Sequence, residues 1–125
     1  MISLPPNCTE KIEPLPCFGG GPYGVYWKDA EGMGHIIIYS PAWLSGWRLK
    51  LFISLTQKHE RGHAWGVKGC WKPWCIMFEA MMWKPKWKDV WWEKLAGAVM
   101  LFNGFRFCCS CQSIIDKSMK EAGVM

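Results

Sequence analysis

Two histidines and a glutamate stand close together at His59, Glu60 and His63, in the segment His-Glu-Arg-Gly-His. On a helix, residues four positions apart project from the same face, so both imidazoles can bind one Zn²⁺ ion. Glu60 would lie about 100° around the helix from His59, beside the metal ion and not on it. From there a carboxylate can accept a proton from water that the metal activates. The spacing therefore predicts a catalytic zinc site with His59 and His63 as ligands and Glu60 as the general base.

The residues before this motif indicate a helix over about residues 41 to 65. Ser40-Pro41 is typical of an N-cap followed by the first helical residue, although Gly46 allows a later start. Gly66 is a natural C-terminal stop. Apolar residues recur between these ends at three- and four-residue spacing, at Trp43, Leu44, Trp47, Leu51, Phe52 and Leu55. The alternative is that both histidines lie on an ordinary amphipathic helix that binds no metal.

The cysteines suggest a second metal site. Cys70 and Cys75 form one pair, and Cys108 and Cys111 form another further along the chain. Four thiolates in two pairs make a closed tetrahedral zinc site, and such a site helps a small domain to fold. Cys109 would be a spare thiol. The alternative for these cysteines is simple burial in the core.

Length and charge limit the classes of protein to consider. With 125 residues the chain is long enough for one domain with a modest core. Its ten tryptophans are an unusually large number, and its net charge of +5 suits a mildly basic soluble protein better than a dedicated nucleic-acid binder. Nucleic acid and anionic membrane remain minor alternatives because several lysines lie beside tryptophans, namely Lys68, Lys72, Lys84, Lys86 and Lys88.

The cellular compartment is suggested by the cysteines and by the start of the chain. Residues 1 to 6 lack the basic and apolar segments of a signal peptide, and no apolar stretch approaches the roughly twenty residues of a spanning helix. Seven cysteines, an odd number, argue against a complete set of intramolecular disulfides. We therefore expect a cytoplasmic protein, without a membrane span, whose cysteines serve metals.

The remaining segments predict a small α+β domain. Residues 1–22 are rich in proline and glycine, which predicts an irregular N-terminal segment. Residues 23–27 and 35–39 are typical of the two strands of a hairpin. Residues 66–87 read as a loop region, and helical periodicity predicts further helices at 89–102 and 110–121, with Ile114, Ile115 and Met119 of the last helix facing inward.

Over residues 52–116 the chain resembles the archaemetzincin family of zinc metallopeptidases. The family signature is HExxHxxGxxHC, four residues, C, one residue and M, followed later by CxxC. The positions that match are His59, Glu60, His63, Gly66, Cys70, Cys75, Met77, Cys108 and Cys111. Gly69 stands where the family has its third histidine, and the interval from Met77 to Cys108 is longer than is usual in the family.

The resemblance implies a small, minimal metzincin-like (zincin) fold, with a short antiparallel sheet, an active-site helix and C-terminal helices. It implies that His59 and His63 bind a catalytic zinc ion, that Glu60 acts as general base and acid, and that Met77 lies beneath the metal. A second, structural zinc would be held by the four cysteines. The implied activity is hydrolysis of peptide bonds, of the endopeptidase or aminopeptidase type, in a peptide or protein substrate.

The identity of the third zinc ligand is not fixed by the sequence, because Gly69 has no side chain that can bind a metal. The alternatives are Glu79, His35, Cys70 or no protein ligand. The last of these would leave a catalytically inactive relative that serves as a zinc-binding or scaffold module. For a substrate, we expect residues 35–39 to form an edge strand along which an extended peptide can lie, or else a fully buried strand.

Overall fold

The computed structural model of this chain describes residues 2–15, 23–42, 44–70, 72, 75–77 and 104–124. The chain divides into two compact units, Met1–Trp65 and Gly66–Met125. In chain order the described elements are β1 (Cys8–Pro14), β2 (Gly24–Lys28), β3 (Gly34–Ser40), α1 (Gly46–Ala64) and α2 (Cys109–Glu121). The predicted α+β class is confirmed, whereas the metzincin-like fold and the single domain stay predictions. Neither described helix has the length and apolar character needed to cross a bilayer.

The first unit is a three-stranded sheet with α1 packed on one face. The strand order is β1-β3-β2, with β2 antiparallel and β1 parallel to β3. Ile36 and Ile38 of β3 are buried, whereas Ile37 between them is half-buried. This alternation is the two-residue period of a strand with one covered face. An antiparallel sheet was predicted. This prediction is right for the pair of β2 and β3 and wrong for β1, which runs parallel to β3.

The predicted hairpin of β2 and β3 is confirmed, and Asp29 explains its turn. The Asp29 carboxylate accepts hydrogen bonds from the backbone N–H groups of Glu31 at 2.9 Å and Met33 at 3.0 Å. The Asp29 carbonyl accepts a third from the Gly32 N–H at 3.1 Å. An aspartate that bonds the backbone just after itself is a common way to close a turn.

The prediction of an irregular segment over residues 1–22 is wrong where β1 forms. The backbone of β1 is paired along β3, and its Glu10 side chain accepts hydrogen bonds from Arg61 of α1 at 2.9 and 2.7 Å. Ahead of β1, the Ser3 carbonyl accepts a 2.7 Å hydrogen bond from the indole N–H of Trp65. Local composition could not predict this strand, because its partners lie far away in the sequence.

The start of α1 corresponds to the later of the two predicted positions. The helix spans Gly46–Ala64 with Ser45 as its N-cap, so the start at Ser40-Pro41 is wrong and the later start that Gly46 allowed is confirmed. Ser40 is still the last residue of β3, as expected for a residue that precedes proline, which favours extended backbone. Gly46 has a φ of +63°, a left-handed value that suits glycine. The predicted stop is confirmed, because α1 is followed by Gly66 with a φ of +106°.

The central position of β3 corrects the expected substrate strand. Residues 35–39 were predicted as an edge strand or as a buried one, and the edge position is wrong because β3 pairs with a strand on each side. Its backbone groups are used within the sheet. Among the described strands, the edges are β1 and β2, so only these can pair with a further chain.

In the second unit the predicted helix over 110–121 is confirmed as α2. Its buried residues are Cys111 and Ile115, which lie on one face because they are four positions apart. Ile114 is exposed, so its predicted inward position is wrong. Met119 is half-buried. The predicted helix over 89–102 lies outside the described residues.

Candidate metal centre

Cys70 and Cys75 are brought together by a tight loop at the start of the second unit. The Cys70 N–H donates a 2.9 Å hydrogen bond to the Met77 carbonyl, and the Cys75 N–H donates a 3.1 Å bond to the Lys72 carbonyl. Met77 is fully buried in this loop, and its predicted place beneath a catalytic metal stays a prediction. These bonds hold the two cysteines in place, and their thiols belong to one cluster although they are five positions apart in the sequence.

Cys108 and Cys111 belong to the first turn of α2. Cys108 is the N-cap residue, and Cys111 lies three positions further on, where the helix turns its side chain back toward the cap. The Ile76 N–H donates a 3.1 Å hydrogen bond to the Arg106 carbonyl, which ties the cysteine loop to the segment before α2. Both cysteine pairs are thus fixed by backbone hydrogen bonds.

These residues form the four-cysteine centre: Cys70, Cys75, Cys108 and Cys111. Their Sγ atoms all lie within 4.8 Å of one another, and all four residues are buried. The Sγ atoms of Cys70 and Cys108 are 3.8 Å apart, and those of Cys75 and Cys111 are 3.7 Å apart. A tetrahedral zinc with Zn–S bonds of about 2.3 Å has its sulfur atoms about 3.8 Å apart. The centre therefore fits one tetrahedral ion.

Backbone and lysine donors surround the sulfur atoms. Cys75 Sγ accepts hydrogen bonds from the N–H groups of Met77 at 3.4 Å and Cys108 at 3.3 Å. The Lys72 ammonium lies 3.9 Å from Cys108 Sγ and 3.4 Å from the Ser110 hydroxyl. Donors of this kind orient metal-binding thiolates and offset part of their negative charge.

The thiols differ in how readily they ionise. Burial raises the pKa of Cys75 to about 11, and burial also raises the pKa of Cys111. Burial acts in the same direction on Cys108, but the hydrogen bonds from the Cys111 backbone and from the neighbouring thiols outweigh it and lower its pKa to about 7. A metal ion needs thiolates, so it must displace protons from the buried sulfur atoms.

The prediction that these four cysteines come together is confirmed, and four such thiolates suit a structural ion such as zinc. That the ion is zinc stays a prediction. Cys109 lies in the first turn of α2 but is exposed, in agreement with its predicted role as a spare thiol. Four cysteine ligands would fill all positions of a tetrahedral ion, which is typical of structural and not of catalytic zinc sites.

The second predicted site begins with His59 and His63 on α1. Their Nε2 atoms lie 3.1 Å apart, and their rings meet at 78°. Two nitrogens bound to one tetrahedral zinc at about 2.0–2.1 Å are about 3.3 Å apart. A hydrogen bond between two neutral imidazoles has a similar length. The separation of the two rings on the helix is thus compatible with a shared metal ion and equally with a direct hydrogen bond.

The third ligand is not found among the described residues, of which only the four cysteines form a group of three or more candidate metal ligands. His35 is engaged elsewhere, since its Nε2 lies 2.8 Å from the Asp29 carboxylate and its Nδ1 lies 3.2 Å from the Thr9 hydroxyl. Cys70 belongs to the four-cysteine centre. Glu79 lies outside the described residues.

Glu60 lies on the side of α1 that faces β2. Its side chain is only 7% exposed. A Cβ atom added to Gly24 of β2 would come within 2.9 Å of Glu60 Cγ, 3.1 Å of its Oε1 and 2.8 Å of Thr56 Cγ2. The close approach of α1 to β2 therefore depends on glycine at this position. The role of Gly24 could not be predicted, because no local pattern in the sequence marks its contact with the helix.

A half-buried ion pair links another side of α1 to β1. Arg61 donates two hydrogen bonds to the Glu10 carboxylate and a third to the Ile2 carbonyl at 2.8 Å. Gln57 donates to the same carboxylate at 3.2 Å. Because Gln57 and Arg61 lie four positions apart, on one face of α1, their bonds to Glu10 help to fix the rotation of α1 on the sheet. The pair of Glu10 and Arg61 was not predicted either, because the two residues are 51 positions apart in the sequence.

The described structure thus places every predicted site residue: His59, Glu60 and His63 on α1, and the four cysteines in the second unit. The resemblance to archaemetzincins rests on the motif residues and stays a prediction. No protein-family profile, curated protein or solved structure matches this chain.

Proposed function

We propose that this chain is a zinc metallopeptidase. The four-cysteine centre would hold a structural zinc, while His59 and His63 would hold a second zinc for the hydrolysis of peptide bonds. The observation that carries the proposal is the 3.1 Å separation of the two Nε2 atoms on α1. The adjacent residue, Glu60, is buried, which is uncommon for a glutamate and places a carboxylate next to the histidine pair. Two convergent imidazoles beside a buried carboxylate favour a chemical function over simple packing.

The chemical role of each residue follows from its type. His59 and His63 would hold the zinc ion, which would polarise the scissile carbonyl and make water more acidic. Glu60 would take the proton from the attacking water and return it to the leaving amine. Gly24 leaves the space that the carboxylate occupies, and the Glu10–Arg61 ion pair keeps the helix face in place.

The edge position of β2 supports a peptide as substrate. An extended peptide can join the exposed edge of a sheet through backbone hydrogen bonds. Glu60 lies against Gly24, the first residue of β2. A peptide added along this edge would run past the carboxylate, which is the arrangement that hydrolysis of a backbone amide requires.

The test is hydrolysis of a peptide mixture by zinc-loaded protein, with products identified by mass spectrometry. We expect the wild type to cleave, Glu60→Gln to lose at least about 100-fold in rate, and both to contain the same amount of zinc. Glu121→Gln, which removes an exposed carboxylate from α2, is the matched control and should cleave like the wild type. Equal cleavage by Glu60→Gln would contradict the assigned role of Glu60.

A second candidate is an inactive zinc-binding module, and Gly69 favours it. This residue stands where the resemblance expects a third histidine, and its φ of +134° suits glycine. Catalytic zinc sites normally have three protein ligands, so a site with two binds the ion more weakly. If the chain is such a module, we expect zinc at the four cysteines alone and no peptide hydrolysis by the folded wild type.

A further inference from the structure

The first two turns of α1 expose two large apolar side chains. Trp47 is 70% exposed and Leu51 is 44% exposed. They lie four positions apart, so they share one face of the helix. An exposed indole beside an exposed leucine forms an apolar patch on a helix whose other apolar residues are at least partly covered. Adjacent exposed apolar residues of this kind often mark an interaction surface.

Cations flank this patch on both sides. Arg48 and Lys50 are exposed and lie about 100° and −60° around the helix from Trp47. The first turn contains no acidic residue, and Glu60 is the first acid along α1. The helix dipole disfavours cations near an N-terminus, so these charges do not serve the stability of the helix. They complement a partner that carries negative charge.

The aromatic geometry distinguishes between two anionic partners. The Arg48 guanidinium carbon lies 5.4 Å from the centroid of the Trp47 ring and covers one of its faces. Single-stranded nucleic acid binds by stacking bases on open aromatic faces, and it offers no apolar surroundings to Leu51. The boundary between lipid headgroups and acyl chains takes up tryptophan and leucine, while the lipid phosphates attract arginine and lysine.

We propose that the first two turns of α1 bind an anionic phospholipid surface. Trp47 and Leu51 enter the boundary between headgroups and acyl chains, and Arg48 and Lys50 contact the phosphates. This attachment is peripheral, and it is independent of any peptide hydrolysis at the histidine pair.

The test is co-sedimentation of the full chain with vesicles of phosphatidylcholine mixed with phosphatidylserine, and with vesicles of phosphatidylcholine alone. We expect binding to the anionic vesicles that weakens at high salt. Each cation near an anionic surface strengthens binding roughly fivefold, so Arg48→Glu/Lys50→Glu should weaken it by roughly 25-fold or more. Trp47→Ser should weaken it by about tenfold. The matched control is Lys117→Glu/Lys120→Glu on α2, which makes the same change in net charge on exposed positions.

Several outcomes would overturn the proposal. One is the absence of vesicle binding by folded wild type, and another is an equal loss in the control variant, which would assign binding to overall charge. Binding of a single-stranded oligonucleotide without vesicle binding would assign the surface to nucleic acid. A dimer that Trp47→Ser disrupts, again without vesicle binding, would assign it to a second copy of the chain. Circular dichroism verifies folding, and Leu51→Ser replaces Trp47→Ser if the latter fails to fold.

Discussion

The Sγ atoms of Cys75 and Cys111 lie 3.7 Å apart, although the two residues are 36 positions apart in the chain. Cys70 and Cys108 meet in the same way, at 3.8 Å over an interval of 38 positions. An ion shared by these four sulfur atoms therefore closes a long loop. Because such a site does not exist in the unfolded chain, the free energy of metal binding adds to the free energy of folding.

Cys75→Ser should remove about one zinc ion per chain and lower the free energy of unfolding by about 3 kcal/mol or more. The reason is that Cys75 is fully buried and its Sγ accepts two backbone hydrogen bonds, which hold the sulfur atom in the centre. Cys109→Ser is the control, since its thiol is exposed and lies outside the centre. Elemental analysis and urea unfolding provide the readouts. Equal zinc loss in both variants would contradict the assigned ligand set.

Zinc binding to the four-cysteine centre should weaken as the pH falls. Protons compete with the metal for the sulfur atoms, and burial raises the pKa of Cys75 to about 11, which keeps that thiol protonated in the metal-free chain. The pKa of Cys108 is lowered to about 7, so this sulfur adds a proton to the competition only below that pH. Affinity should therefore fall more steeply below pH 7 than above it. Chelator competition in a series of buffers measures the slope, and a pH-independent affinity would contradict the prediction.

Gly24→Ala should lower the free energy of unfolding by about 2 kcal/mol through overpacking. The added methyl group would meet Thr56 Cγ2 at 2.8 Å and Glu60 Cγ at 2.9 Å. Thr56→Ser removes one of these carbon atoms and keeps the hydroxyl that donates to the Phe52 carbonyl. The double variant should recover part of the loss in urea unfolding. If the effects of Gly24→Ala and Thr56→Ser on the free energy of unfolding are strictly additive, the added methyl group does not contact Thr56.

Glu10→Gln should cost about 2 kcal/mol of unfolding free energy, because it weakens the charge-assisted hydrogen bonds that the half-buried Arg61 guanidinium makes to this carboxylate. The control is Glu13→Gln, which breaks the exposed pair of Lys11 and Glu13 at 2.9 Å. An exposed pair contributes little, so that variant should unfold like the wild type. If both variants unfold at the same urea concentration, the account of α1 held against β1 by this ion pair is wrong.

The structural features that could be predicted correctly are those marked by residues close to them in the sequence. Asp29 and the glycines around it predict the hairpin turn, and Gly66 predicts the end of α1. The pairing of Cys70 and Cys75 with two later cysteines follows from the preferences of metal ions. The strand β1, by contrast, depends on pairing with β3 and on the contact of Glu10 with a distant arginine. Such contacts leave no local pattern, which is why an irregular segment was predicted there.

The proposed peptidase activity depends on a second zinc ion bound by His59 and His63. Elemental analysis of the zinc-loaded chain tests it directly, with His59→Ala/His63→Ala as the variant and the four-cysteine centre as an internal reference. The account predicts about two zinc ions per chain in the wild type and about one in the double variant. About one zinc ion in both proteins would contradict it and would leave the cysteines as the only metal site.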